Sequence, residues 1–260
     1  MNLFYKGQQV SSIDEALGRY PQDEFASPTR STVALVSLLK HGESLWNRIT
    51  ESLGTGDASC EVRLEYQVMS PRGRGKPSHT DIMLIQGNRS VAIECKWTEP
   101  RYETVANWLT QGESPANRRE VMGGWLSLLQ PYVHNQLQLD HFGEAVYQTV
   151  HRAASACVTG RIAALAYIQF CPLPNGADAG SRLRGDLDHL YTLLGAPERF
   201  PFWLVEVVIR PTEGFERIRN LTKGLPATAD AVRSALCDGP LFEFEDFRPH
   251  RIAGQRGASA

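Results

Sequence analysis

The sequence predicts one α/β domain, a central mixed β-sheet covered by helices on both faces. Three observations carry that expectation. Strand-like apolar runs and helix-period segments alternate along the chain, in the order helix, three strands, helix, strand, helix, strand. Residues 82–84 and 91–93 are apolar at every position, the pattern of strands buried on both faces. A length of 260 residues suits one large domain, and 42% hydrophobic with 22% charged residues supports a sizeable core.

Taken in order, residues 1–30 mix short apolar pieces with turn formers and read as an N-terminal extension. Residues 31–39, STVALVSLL, predict a buried helix, which His41-Gly42 interrupts. A second, amphipathic helix is expected over 43–53, followed by a loop at Gly54 and Gly56. Over 60–69, Val62, Leu64, Tyr66 and Val68 alternate with polar neighbours, as in a half-buried strand. A basic loop at 70–78 leads to two strands, 80–86 and 90–97, joined by Gly87-Asn88, a two-residue hairpin signal. Residues 99–120 are polar and read as irregular. Helices are expected at 120–130 and 144–157, a strand at 164–170, a helix near 185–194 and a strand at 202–210. A helix near 229–236 and a strand at 241–247 follow. This assigns one domain to 31–252 and a disordered tail to 253–260. There is no internal repeat and no coiled-coil heptad.

The formal net charge of −2 supplies no global basic field, so a nucleic-acid partner would depend on local patches. Arg72, Arg74 and Lys76, set among glycines and just ahead of a strand, form one such patch. The same loop also reads as a solvated connection. The five cysteines, Cys60, Cys95, Cys157, Cys171 and Cys237, are scattered without a CxxC pair, which argues against a disulfide framework and a structural zinc site. No apolar run approaches the roughly 20 residues that span a bilayer, and the N-terminus lacks a signal-peptide core. The expected setting is the reducing cytoplasm, with no membrane partner.

The hairpin carries the chemistry. With Gly87-Asn88 as its turn, Gln86 faces Arg89, Leu84 faces Val91 and Ile82 faces Ile93. Asp81 then falls opposite Glu94. Alternation puts Lys96 on the face of Glu94 and Cys95 on the other. Two carboxylates facing each other destabilise a sheet unless something offsets their repulsion, and a divalent cation with a preference for hard oxygen ligands would do so. Continued pairing would set His79 opposite Lys96. Trp97, Trp108 and Trp125 suit core packing, with base stacking as the alternative.

The stretch TDIML…AIECKW, with a helix before the strand meander and another after it, resembles the PD-(D/E)xK, or restriction-endonuclease-like, nuclease superfamily. Thr80 stands where that family has a proline. The resemblance covers residues 31–170 and implies a restriction-endonuclease-like core and a Mg²⁺- or Mn²⁺-dependent hydrolysis of phosphodiester bonds, with DNA as the partner. It implies that Asp81 and Glu94 hold the metal, that the Cys95 carbonyl adds a ligand, and that Lys96 positions the attacking water or stabilises charge at phosphorus. The family often adds an acid from the first helix. Glu43 is preferred to Glu51, because Leu45, Trp46, Ile49 and Leu53 define the buried face and Glu51 points away from it. Glu65 is a third option. Many members also place a glutamine on the helix after the third strand. Gln148 is similar in place, and Arg152, four residues on, would contact a phosphate. The pair also reads as the polar outer face of that helix. Restriction, phage defence and repair all suit such an enzyme, with specificity supplied by loops, a homodimer or a partner protein. A non-catalytic interaction subunit that keeps the same fold is the rival expectation.

Overall fold

The computed structural model describes residues 2–56, 59–112, 114–159, 162–173, 180–195 and 197–253. Among these, eight strands form one mixed sheet in the order β2-β1-β3-β4-β5-β6-β7-β8. The strands are β1 (Asn2–Tyr5), β2 (Gln8–Val10), β3 (Glu61–Val68), β4 (Ser78–Gln86), β5 (Arg89–Lys96), β6 (Ile162–Pro172), β7 (Phe202–Pro211) and β8 (Phe242–Arg251). The pairs β1–β3, β5–β6 and β6–β7 are parallel and the others antiparallel.

Helices cover both faces, as the sequence predicts. One face packs against α1 (Ile13–Arg19), α2 (Ser31–His41), α3 (Glu43–Ser52), α8 (Glu213–Ile218) and α9 (Pro226–Asp238). The other packs against α4 (Val105–Thr110), α5 (Pro115–Leu129), α6 (Tyr147–Ala156) and α7 (Gly180–Leu193). Strand alternation divides the hairpin between these layers. Ile82, Leu84, Val91 and Ile93 face the α2 side, while Met83, Ile85 and Ala92 face the α6 side. No helix among the described residues is long and apolar enough to cross a membrane.

Four expectations need correction. Residues 1–30 are not an extension. Lys6 and Gly7 both take positive φ, 46° and 83°, the geometry of a two-residue hairpin turn, and β1 then pairs with β3 at the sheet edge. Leu3, Tyr5, Leu17, Tyr20 and Phe25 are buried in the core. Strands of four and three residues are too short to show a clear period. Second, the polar stretch 99–120 contains α4 and the start of α5. Thr104 Oγ1 caps α4 by accepting from the Asn107 N–H, and Pro115 opens α5. Third, α8 lies between the strand expected at 202–210 and the helix expected near 229–236, where the sequence assigns no element. Fourth, β8 runs on to Arg251, past the expected end at 247, because its pairing with β7 passes a bulge at Val208/Ile209 and continues to Trp203–Arg251. Of the expected tail, residues 254–260 lie outside the described residues.

The integral role of the N-terminal segment is testable. Phe25 is fully buried against Tyr20, with ring centroids 5.8 Å apart. Phe25→Ala is expected to lower the unfolding free energy by about 3–5 kcal/mol in urea denaturation. A loss below about 1 kcal/mol, the range of surface changes, would restore the reading of residues 1–30 as an appendage.

Candidate active site at the open end of the hairpin

The pairs counted out from the turn, Gln86–Arg89, Leu84–Val91 and Ile82–Ile93, are the observed register. In a two-residue hairpin these are the hydrogen-bonded pairs, so the intervening positions are non-hydrogen-bonded ones, where side chains approach most closely. Asp81 and Glu94 take the next such position. The ladder stops there, at Ile82–Ile93, and does not reach His79 and Lys96. His79 instead lies against Gln67 and Glu65, with its Nδ1 3.3 Å from Glu65 Oε2.

Beyond that point a side chain replaces the ladder. The Cys95 N–H, which would meet Thr80 in a continued ladder, donates to Asp81 Oδ2 at 2.7 Å. The carbonyl of a strand residue leaves on the same side as its N–H, so that of Cys95 faces the gap between β4 and β5. The Cys95 side chain is buried on the opposite face, as alternation predicts. Thr80 is fully buried, and its hydroxyl has no partner among the described residues.

Glu94 is 3% exposed and surrounded by donors. Its Oε1 accepts from Lys96 Nζ at 3.0 Å and from Gln148 Nε2 at 2.9 Å, and its Oε2 accepts from Arg152 Nε at 2.5 Å. Gln148 and Arg152 are therefore not an outer face. At 4% and 8% exposure they project from α6 onto the sheet, one turn apart. The expected phosphate contact of Arg152 is corrected as well: its guanidinium is committed to Glu94 and to Ser78 Oγ, the latter at 2.6 Å. Ser78 Oγ also lies 2.9 Å from Nδ1 of His151. Burial, together with the Arg152 and Lys96 cations, pushes His151 well below the usual imidazole range and keeps it neutral.

The protonation states divide the charges. Burial alone would raise Glu94, but Arg152 and Lys96 outweigh it and hold the carboxyl below its ordinary value. Asp81 goes the other way, raised well above the carboxylate range by burial and then by Glu94 and Glu65. Burial would lower Lys96, yet Glu94 and Asp81 raise it, so it is held as a cation.

A third carboxylate joins the row, and it is not Glu43. The β3–β4 register, Leu64–Ile82 and Tyr66–Thr80, puts Glu65 opposite Asp81. Glu65 is buried, has a left-handed backbone (φ 51°), and is pushed up to about 7 by burial and by Glu24. A non-glycine residue held at positive φ stores strain of the kind that gathers at functional sites. Glu43 is exposed at the start of α3, which packs on the opposite face of the sheet beside β8, three strands from β5. Glu51 is exposed too. The amphipathic pattern located the helix face correctly but carried no information about which strands that face covers. Glu24, in the turn Gln22–Phe25, sits in the segment read as an extension and was missed for that reason.

Arg72, Arg74 and Lys76 are all exposed, on a loop docked to α5. The Arg74 N–H donates to Asn117 Oδ1 at 2.8 Å, and Ser70 Oγ donates to the Val121 carbonyl at 3.0 Å. The loop enters β4 three residues before Asp81, so its cations flank the same end of the sheet. Of the tryptophans, Trp125 is core, Trp97 packs on Phe215 and Phe242, and Trp108 stacks on Tyr147 with centroids 3.8 Å apart.

Among the described residues no group of three or more His, Cys, Asp or Glu side chains is arranged to hold a metal ion. The donor set, two adjacent carboxylates and a main-chain carbonyl turned into a gap, does not suit zinc. It does suit Mg²⁺ or Mn²⁺, which take one or two carboxylates and keep several waters. Burial and the neighbouring Glu94 and Glu65 both disfavour the charged form of Asp81, and a nearby cation would favour it.

A family profile described as a domain of unknown function, DUF6946, matches residues 8–200, a span that includes Glu65, Asp81, Glu94, Lys96, Gln148 and Arg152. The chain belongs to that family. No curated protein and no solved structure matches it.

The carboxylate row makes stability depend on pH. The folded chain holds on Glu65 a proton that the unfolded chain releases near the ordinary 4.5, so this group destabilises the fold as pH rises from there through about 7. Melting temperatures are expected to fall over about pH 5 to 8, and Glu65→Gln is expected to flatten the profile. Some slope should remain, because Asp81 shifts in the same direction. Parallel profiles for the two proteins would contradict the assignment.

Proposed function

We propose that this DUF6946 member is a metal-dependent nuclease of the restriction-endonuclease-like type, hydrolysing phosphodiester bonds in DNA. One observation carries the reading. A hairpin buried on both faces ends in Asp81, Glu94 and Lys96, side by side where its ladder stops, with Gln148 of α6 bonded to Glu94.

Asp81, Glu94 and the Cys95 carbonyl would hold Mg²⁺ or Mn²⁺, which when bound supplies Lewis-acid stabilisation and a more acidic water. The chain's own contribution centres on Lys96. Its pKa is raised, so it serves as a hydrogen-bond donor and fixed positive charge beside the phosphorus, and less well as a general base. Gln148 fixes the rotamer of Glu94 from above. Arg152 keeps Glu94 ionised, the form a cation requires. The exposed Arg72, Arg74 and Lys76 provide non-specific phosphate contacts at the same end of the sheet.

One observation favours a second reading. Both oxygens of Glu94 already have partners, an arrangement that also suits a structural ion-pair network in a non-catalytic nuclease-fold subunit of a larger assembly. Plasmid and oligonucleotide cleavage with Mg²⁺ or Mn²⁺ separates the two. Under the nuclease reading, cleavage needs the metal and falls at least about 100-fold in Asp81→Ala, Glu94→Ala and Lys96→Ala, each of these removing a group that acts on the transition state. Cleavage that survives Glu94→Ala, or none in any metal with the wild type, would refute it.

A further inference from the structure

A cavity of 280 Å³ opens directly beyond Lys96 and Gln148, at the C-terminal ends of β5 and β6. Its other walls include Tyr102, Tyr167, Gln169 and Arg182. Ligand sites in parallel sheets favour this end of the strands. A larger cavity of 600 Å³ lies between β7, α8 and α9 and contains none of the groups described above.

Three features of the smaller cavity point to one kind of occupant. The floor holds one unsatisfied polar group. Tyr167 is fully buried, lies beside Glu94 in the β5–β6 register, and its hydroxyl has no partner among the described residues. A buried hydroxyl left unpaired is destabilising, so its retention fits a partner that arrives from outside. The rim carries an aromatic side chain. Tyr102 is 46% exposed, and its ring centre lies 5.2 Å from Lys96 Nζ. The charge is mildly positive. Lys96, Arg101 and Arg182 outnumber Glu99 and Asp186, and Asp186 is held by Arg101 at 2.9 Å. Glu99 is turned inward to accept from the N–H groups of Ser31 and Trp97.

We propose that this cavity seats the base of a single unpaired nucleotide beside the scissile phosphate, and that the chain therefore acts on single-stranded or frayed DNA in preference to duplex. The proposal rests on the nuclease reading and adds the form of the substrate. The volume is at the lower limit of ligand pockets, roughly 300–1000 Å³, which admits one base and excludes a stacked pair. A base inside it meets hydrogen-bonding groups at the floor and an aromatic face at the rim, the two means by which an extruded base is held.

The test is binding of short fluorescein-labelled DNA to the full chain, with Ca²⁺ in place of Mg²⁺ to suppress cleavage. Three probes are compared: a single strand, the same sequence as a blunt duplex, and a strand of abasic residues. The single strand is expected to bind about ten-fold or more tighter than either of the others, the scale of one stacked base. Tyr102→Ala should remove most of that preference. Tyr167→Phe should weaken single-strand binding about five-fold without lowering the melting temperature, because it deletes only an unpaired hydroxyl. Equal binding of all three probes would overturn the proposal, as would a Tyr167→Phe protein that binds like the wild type. Metal-dependent cleavage confined to duplex would overturn it while leaving the nuclease reading intact. Absence of binding to any probe would also overturn it, and cleavage in Mg²⁺ then judges the nuclease reading separately.

Discussion

The ionised Glu94 carboxylate inside the sheet is the interaction on which the rest of the site depends. A buried carboxylate stays charged only if opposite charge and hydrogen bonds replace its lost water, and an unpaired one destabilises a fold by about 3–5 kcal/mol. Here the replacement comes from two elements. Lys96 belongs to the same strand, while Gln148 and Arg152 come from α6. Glu94 therefore ties α6 to β5 and fixes the position of that helix over the open end of the hairpin. His151 and Ser78 extend the same network to the start of β4.

The neighbouring carboxylates show the complementary effect. Lys96 and Arg152 both pair with Glu94, while Asp81 meets only the neutral Cys95 N–H and Glu65 only the His79 ring, so both lie close to negative charge without an ion pair to a lysine or arginine. Their proton affinities rise as a result. One carboxylate held ionised next to another pushed toward neutrality is an arrangement typical of sites that take up a cation or pass a proton. The Cys95 N–H moderates the imbalance at Asp81 without cancelling it.

Much of this was legible from residue order. Two-residue turn chemistry and unbroken apolar runs determine the hairpin register, so the adjacency of Asp81, Glu94 and Lys96 follows from counting. The termini of the sheet were less accessible. β1 and β2 are too short to show a period, and their pairing with β3 is a tertiary event. The choice of Glu43 failed for a related reason: helical periodicity identifies which side of α3 is buried but not that the helix crosses toward β8. The outer-face alternative for Gln148 and Arg152 arises because α6 is buried on two faces, a condition that an amphipathic pattern hides. Tyr167 reads as an ordinary aromatic strand residue, and its unpaired hydroxyl emerges only in three dimensions. Glu65 was visible as an option, but its left-handed backbone was not.

Under the nuclease reading, Asp81 and Glu94 together hold a divalent cation. A crystal structure of the full chain soaked in Mn²⁺ tests this most directly, because the anomalous signal of manganese places the ion without reference to activity. One strong peak is expected in the gap between β4 and β5, within bonding distance of both carboxylates and the Cys95 carbonyl, with Glu94 released from at least one of its present donors. Manganese bound only elsewhere, with Glu94 still closed by Lys96, Gln148 and Arg152, would contradict it.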